Sequence, residues 1–382
     1  MTLFKPEDFE APDMWTNKIG GGGYGIVFKL KELKSGKYYA VKFINSSPQN
    51  YGIVLESFLD EVDALNRLDY PTIVHFHGFI PKPISIITEF IPNGNLYDYI
   101  YRAYRGDPIA EWDMCHKMII LLGISFGMEY LHEHQTVHRD LKPLNILLDS
   151  NFYPKICDFG LSKTLSSSIR FQTYVGTLPY IAPEIKTNNP NYNEKADVYS
   201  FGLIMYSLLY DEDLDQNFTY KDLNFDENII SKSFKELIEK CCNNDPEERS
   251  TFKVISEKLI EETKKMNEDI DEEGKSKIKE FLKYCHREST LIKRKGIKEI
   301  QNKKAGIRNL KGDISKEEMK KFEEEYNKDE DFKSVKSFSL LHYAAKKNKK
   351  EIGEILISKG ADINAKAIIY QIIGILFLIN II

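Results

Sequence analysis

The sequence predicts an α+β chain, and three observations carry that reading. A β-hairpin holding a run of glycines occupies residues 20–42. An amphipathic helix follows over Leu55–Leu68. A loop rich in ionisable and amide side chains lies at 137–145, and an Asp-Phe-Gly turn begins thirteen residues after it. With 382 residues, 42% of them apolar, the chain is long enough for a sizeable globular unit and a tail.

The hairpin is read from two β-prone runs, Ile26–Leu30 and Tyr38–Lys42, joined by the turn Lys34-Ser35-Gly36-Lys37. Ahead of it stands Gly20-x-Gly22-x-x-Gly25-x-Val27. That spacing also occurs where a dinucleotide sits at the start of a helix. A helix should then follow the last glycine. Here a strand follows, which suits a flap whose backbone N–H groups face phosphates. The helix Leu55–Leu68 shows its buried face in Phe58, Val62, Leu65 and Leu68, which recur at helical spacing. Its polar side offers Glu56, Asp60 and Glu61. Pro71–Val74 ends it and starts a strand, and Ile84–Phe90 reads as another strand leading into a turn.

Val137-His138-Arg139-Asp140-Leu141-Lys142-Pro143-Leu144-Asn145, with Asp158-Phe159-Gly160, sets oxygen-bearing side chains and a lysine at the spacing that phosphoryl transfer needs. Taken in order with the glycine loop and Ala40-Val41-Lys42, these motifs resemble a eukaryotic-type protein kinase over roughly residues 12–260. The resemblance implies a two-lobed fold, with a small β-rich lobe and a larger helical one, acting on ATP and Mg²⁺. It implies that Asp140 is the catalytic base and that Lys142 faces the γ-phosphate. Lys42 would neutralise the α/β-phosphates and be held by Glu61, with Glu56 as the fallback. Asn145 and Asp158 would be the metal ligands. Gly20, Gly22, Gly25, Val27 and Ala40 would enclose the nucleotide. Thr88 would be a small gatekeeper, and backbone groups near Glu89–Ile91 would meet the adenine.

The same resemblance assigns structural roles. Glu184 of Ala182-Pro183-Glu184 should pair with Arg249, and Asp197 should brace the His138–Arg139 turn. Lys142 with Thr177 implies serine or threonine acceptors. The wording around Asp158 and Tyr199 is similar to the tyrosine-kinase-like group, most of whose members phosphorylate serine and threonine. A phosphate on Thr173 would pair with Arg139 and order the segment before Glu184. The acidic stretch Tyr210–Ile230 is shorter than the family's usual chain there and reads as a solvated loop.

Residues 261–336 read as a charged helical linker, since roughly half the residues after Glu262 carry charge of mixed sign. Ser339-Leu340-Leu341-His342-Tyr343-Ala344-Ala345 and Gly360-Ala361-Asp362-Ile363-Asn364 resemble one ankyrin repeat, spanning 337–366. A lone repeat cannot bury its own face, and the resemblance points to a protein partner. The apolar tail 367–382 spans about 24 Å as a helix, short of the ~30 Å hydrocarbon core. It reads as a truncated array in preference to a membrane anchor. A net charge of −5 gives no case for nucleic acid. Five cysteines without paired spacing point to a reducing compartment, and the expected location is cytoplasmic. The pairs His75/His77 and His132/His134 have no third ligand in register, so no metal site is expected there. The alternative to an enzyme is a kinase-shaped scaffold acting through the ankyrin piece.

Overall fold

Six strands form one sheet in the order β1-β5-β6-β4-β3-β2, and helices follow it in the chain. The computed structural model describes residues 2–22, 25–45, 58, 62, 65–107, 109–110, 112–158, 178–186, 193–226, 228–266 and 270–289. Met1–Ser57 with Ala64–Ser289 forms one compact unit. Phe58–Asp63 and Thr290–Ile382 form a second, in which only Phe58 and Val62 are described, both buried. The ankyrin-like stretch and the apolar tail lie outside the described residues.

The strands are β1 (Thr2–Leu3), β2 (Lys18–Gly22), β3 (Gly25–Lys31), β4 (Tyr38–Ile44), β5 (Phe76–Ile80) and β6 (Ser85–Glu89). The expected hairpin is β3–β4, turned at Gly36 with φ 72°. Its register pairs Val27 with Lys42 and Phe28 with Val41. Side chains alternate across a strand, so one face carries Val27, Ala40, Lys42 and Thr88. The other carries Phe28, Leu30, Val41 and Ile87, all buried in a single cluster.

That cluster also contains Phe4 and Phe9, which come from a stretch the sequence reading left outside the globular unit. β1 pairs in parallel with β5, and Phe4 packs 5.4 Å from Phe9, centroid to centroid. Gly78 makes this approach possible, since a Cβ there would lie 2.0 Å from the Thr2 carbonyl oxygen. Each buried Phe contributes about 1.5–3 kcal/mol relative to leaving it in water.

The helices of the unit are α1 (Leu96–Tyr104), α2 (Met114–Glu133), α3 (Pro183–Lys186), α4 (Lys195–Tyr210), α5 (Lys232–Cys241), α6 (Phe252–Lys265) and α7 (residues 272–289). α2 starts at Asp113, whose carboxylate accepts from the His116 N–H at 2.9 Å. It is long and apolar enough to cross a membrane, but 78% of its most apolar 18-residue stretch is buried inside the unit. α4 is buried on all sides as well. Both are core helices, on which the short strands β7 (Ile146–Leu148) and β8 (Pro154–Ile156) and the flanking loops are arranged.

Two expectations change here. Asp211 does not belong to a purely solvated loop. It caps α4 in the left-handed region, and its carboxylate accepts from Trp112 Nε1 and Lys117 Nζ, each at 2.7 Å. The first part of the segment read as linker is packed, because Ile270, Ile278, Phe281 and Cys285 are all buried.

All five cysteines are free thiols, and four are buried. Burial pushes Cys115 up to about 11 and Cys241 and Cys285 up to about 12, and it raises Cys157 and Cys242 well above the ordinary value. Thiolates are the reactive form. The folded chain at pH 8 should therefore resist iodoacetamide at every cysteine, and unfolding in urea should release five reactive thiols. Rapid labelling of the native protein would contradict the packing.

Candidate active site

The site is built where β4, the 138–145 loop and the end of β8 meet. Lys42 lies in β4 opposite Ile86 and Val27, so its side chain leaves the sheet on the face away from the aromatic cluster. Its Nζ reaches Asp158 Oδ1 at 2.6 Å, across 116 residues of chain. Burial alone would raise the Asp158 carboxyl, but the charge and hydrogen bond of Lys42 outweigh it and hold it below the ordinary carboxylate value. Asp158 takes a left-handed φ of 59°, which turns its carboxylate off the line of β8.

The 138–145 loop is held from below. Asp197, 1% exposed at the start of α4, accepts from the His138 and Arg139 backbone N–H groups, each at 2.8 Å, and lies 2.9 Å from His132 Nε2. These bonds satisfy the donors of a turn in which Arg139 stands at φ 70°. His138, fully buried, lies 3.0 Å from the Cys157 carbonyl oxygen through Nε2, so the loop and the residue before Asp158 are tied together. The brace expected for Asp197 is present.

Asp140 is then fixed by its neighbours. Asn145 Nδ2 donates to the Asp140 carbonyl at 2.7 Å and to its Oδ2 at 3.1 Å. Lys142 Nζ lies 2.7 Å from the same Oδ2. Asn145 is itself buried, and its carbonyl accepts from the Cys157 N–H at 3.0 Å. A pocket lined in part by Arg139, Asp140, Leu141, Tyr180 and Ile181 opens beside the Asp140 side chain.

The structure thus brings together Lys42, Asp140, Lys142, Asn145 and Asp158. Val27, Ala40 and Thr88 share the sheet face of Lys42. Gly20 lies in β2 and Gly25 opens β3, where a Cβ would sit 2.1 Å from the Phe43 carbonyl oxygen, so no other residue fits. Glu89 ends β6, and its N–H donates to the His75 carbonyl at 3.0 Å, so that donor is not free for a base. Ile91 is buried just beyond. Glu56, Asp60, Glu61, Phe159, Gly160, Thr173 and Thr177 lie outside the described residues, whereas Gly22 is the last residue of β2.

Glu184 and Arg249 form the expected staple. Arg249 Nη1 and Nη2 donate to Glu184 Oε1 and Oε2 at 2.7 and 2.9 Å. The Arg249 Nε donates to the Asn243 carbonyl at 2.7 Å, and Nη1 also reaches the Lys195 carbonyl at 3.0 Å.

Lys155 was missed by the sequence reading. It is 9% exposed in β8, and its Nζ donates to Glu89 Oε1 at 3.0 Å. The signal available was a lysine flanked by Pro154 and Ile156 in an apolar strand, where an ammonium is buried only with a partner.

Residues 15–259 match the protein kinase domain family and residues 337–368 match the ankyrin repeat family. A probable serine/threonine-protein kinase of Dictyostelium discoideum is 36% identical over 254 residues, covering 64% of this chain and 24% of that protein. The serine/threonine-protein kinase CTR1 of Arabidopsis thaliana is 33% identical over 262 residues, covering 63% and 30%. A leucine-rich repeat receptor-like protein kinase of the same plant, whose name describes its activity as doubtful, is 38% identical over 221 residues, covering 53% and 21%. The chain spans less than a third of the length of each of these relatives. The matched residues 15–259 make up most of the 382 and contain every side chain of the cleft, so the chain belongs to the protein kinase domain family.

Proposed function

We propose that this chain is an ATP-dependent protein kinase that phosphorylates serine and threonine hydroxyls of protein substrates. The observation that carries the reading is the pairing of Lys42 with Asp158 at 2.6 Å and of Asp140 with Lys142 and Asn145 at 2.7–3.1 Å, the two sets joined by the Cys157 N–H donating to the Asn145 carbonyl at 3.0 Å. A base, two ammonium groups and two oxygen ligands are what in-line phosphoryl transfer requires of a protein.

Asp140 accepts the proton of the substrate hydroxyl as that oxygen attacks the γ-phosphorus and the bond to the bridging oxygen breaks, releasing ADP. Asn145 fixes the orientation of this carboxylate through the bond to Oδ2. Lys142 sets a positive charge beside the base, where the transferring phosphoryl group would lie. Lys42 is poised to exchange Asp158 for the α/β-phosphates. The carboxylate of Asp158 and the amide oxygen of Asn145 are hard oxygen donors, the type that suits Mg²⁺. When bound there, the ion would neutralise charge on the phosphate oxygens. Gly20, Gly22 and Gly25 would let the backbone close over the nucleotide, with Val27, Ala40 and Thr88 against the base and backbone groups of Glu89–Ile91 reading its edge.

The ankyrin segment, as a protein-interaction module, would bring a protein partner. Five free thiols fit a reducing compartment, the cytoplasm. The second reading, a scaffold, is favoured by the relative of doubtful activity. Against it, Lys42, Asp140, Asn145 and Asp158 are all retained here.

The test is label transfer from γ-labelled ATP with magnesium to a generic protein substrate. Label should appear in phosphoserine and phosphothreonine. Lys42→Met and Asp158→Ala should each lower transfer by at least about 10²-fold with the fold retained. Label dominated by phosphotyrosine would reject the acceptor class. Equal transfer by the variants would reject the site.

A further inference from the structure

We propose that Lys155 is a positioning residue for ATP and that α7 is part of the nucleotide site although it lies beyond the family boundary at residue 259. The inference rests on the kinase reading and extends it to regulation of the adenine-binding strand end.

Glu89, the residue at the end of β6, is held on three sides. Its N–H donates to the His75 carbonyl at 3.0 Å, and its Oε1 accepts from the His75 N–H at 2.8 Å and from Lys155 Nζ at 3.0 Å. Just before His75, Val74 N–H donates to the Ile156 carbonyl at 2.9 Å, and Ile156 N–H donates to the Thr72 carbonyl at 2.8 Å. The segment 72–75, the strand β8 and the end of β6 therefore form one junction. The segment 72–75 and the two strands contribute the backbone bonds, and among the described residues Lys155 alone ties β8 to β6 through a charge.

α7 packs beside this junction. Phe281, fully buried, and Tyr284 pack on Tyr153 with ring centroids 4.8 and 5.3 Å apart, two residues before Lys155. At the other end of the helix, Cys115 Sγ of α2 donates to the Gly274 carbonyl at 3.2 Å. Burial raises the Cys285 thiol, and the positive charge of Lys155 offsets part of that rise. Tyr284 is raised by burial first, with the Glu89 carboxylate among the charges adding to it. α7 thus packs on the residue two before Lys155, and in the charge pair the lysine side chain is 11% and the glutamate side chain 27% exposed. A drier pair holds its geometry more firmly. Because Glu89 is partly exposed, the effect is graded and does not reach all-or-none.

The test uses full-length protein throughout. Lys155→Met should raise KM for ATP by roughly three- to tenfold, with kcat within about twofold and KM for the protein substrate unchanged. Glu89→Gln keeps the side-chain shape and the His75 bond, and it should raise KM for ATP by the same factor. It decides the matter if Lys155→Met does not fold. Tyr284→Ala should raise KM for ATP by about two- to threefold alone, and by nothing further in the Lys155→Met background, since coupled residues are not additive. Unchanged ATP affinity in Lys155→Met or Glu89→Gln, or multiplicative effects of Tyr284→Ala and Lys155→Met, would overturn the proposal. Thermal stabilisation by Mg-ATP, measured on the same set, separates the two levels. A chain that binds ATP but transfers nothing loses the kinase reading, and the binding shifts still decide the role of Lys155. A chain that binds no ATP loses both.

Discussion

Asp140→Asn should lower phosphoryl transfer by about 10²–10⁴-fold while leaving the fold and ATP binding in place. The argument is local and chemical. The amide is isosteric with the carboxylate but cannot accept the hydroxyl proton. Asp140 is held from above by Asn145 Nδ2 and Lys142 Nζ, and its loop is held from below by Asp197. None of the Asp197 bonds involves the Asp140 side chain, so the loop keeps its shape in the variant. The loss should fall on kcat and not on KM for ATP, because the Asp140 side chain is assigned to the acceptor hydroxyl and not to the nucleotide. Steady-state kinetics with melting curves would check this. Near-normal turnover in a folded variant would remove Asp140 from the role of base.

Glu184→Ala should cost about 3–5 kcal/mol, which corresponds to a fall in Tm of roughly 10 °C. The Arg249 side chain is fully buried, and Glu184 is the only carboxylate bonded to it among the described residues. Its carbonyl partners, Asn243 and Lys195, accept hydrogen bonds but carry no net charge. Removing Glu184 leaves a guanidinium in a dry site, and Arg cannot shed its proton. The exposed pair Lys232–Glu236, at 3.9 Å with both side chains more than half exposed, is the internal control. Breaking it should leave the melting curve almost unchanged. Equal, small losses at both pairs would show that the Arg249 staple is not a buried charge pair in solution.

Much of the site was determined by the sequence alone. The hairpin Gly25–Ile44 follows from two β-prone runs and a four-residue turn, since a short loop fixes the register and the register fixes which side chains share a face. The loop at 138–145 and the residue Asp158 are legible because phosphoryl transfer demands those groups within a few ångströms, and short stretches of chain can meet that demand at fixed spacing. The pairs Glu184–Arg249 and Asp197 with the His138 turn followed from the family resemblance, which holds knowledge of contacts that the spacing does not.

Other features were decided only by the tertiary structure. The strand at Thr2–Leu3 is two residues long and has no periodicity of its own. It exists because Phe4 and Phe9 find the cluster around Val41 and Ile87. Asp211 looked like one more acid in an acidic loop until Trp112 and Lys117, some 95 residues earlier, were placed against it. α7 looked like linker because charges outnumber its apolar residues. Its seam of Ile278, Phe281 and Cys285 has helical spacing, but a seam that narrow gains stability only when a complementary surface is already present. The same holds for Lys155, whose partner Glu89 is 66 residues away. Local patterns determine what a segment can become, whereas a buried charge or a lone apolar seam is stabilised only by contacts that the rest of the chain brings to it.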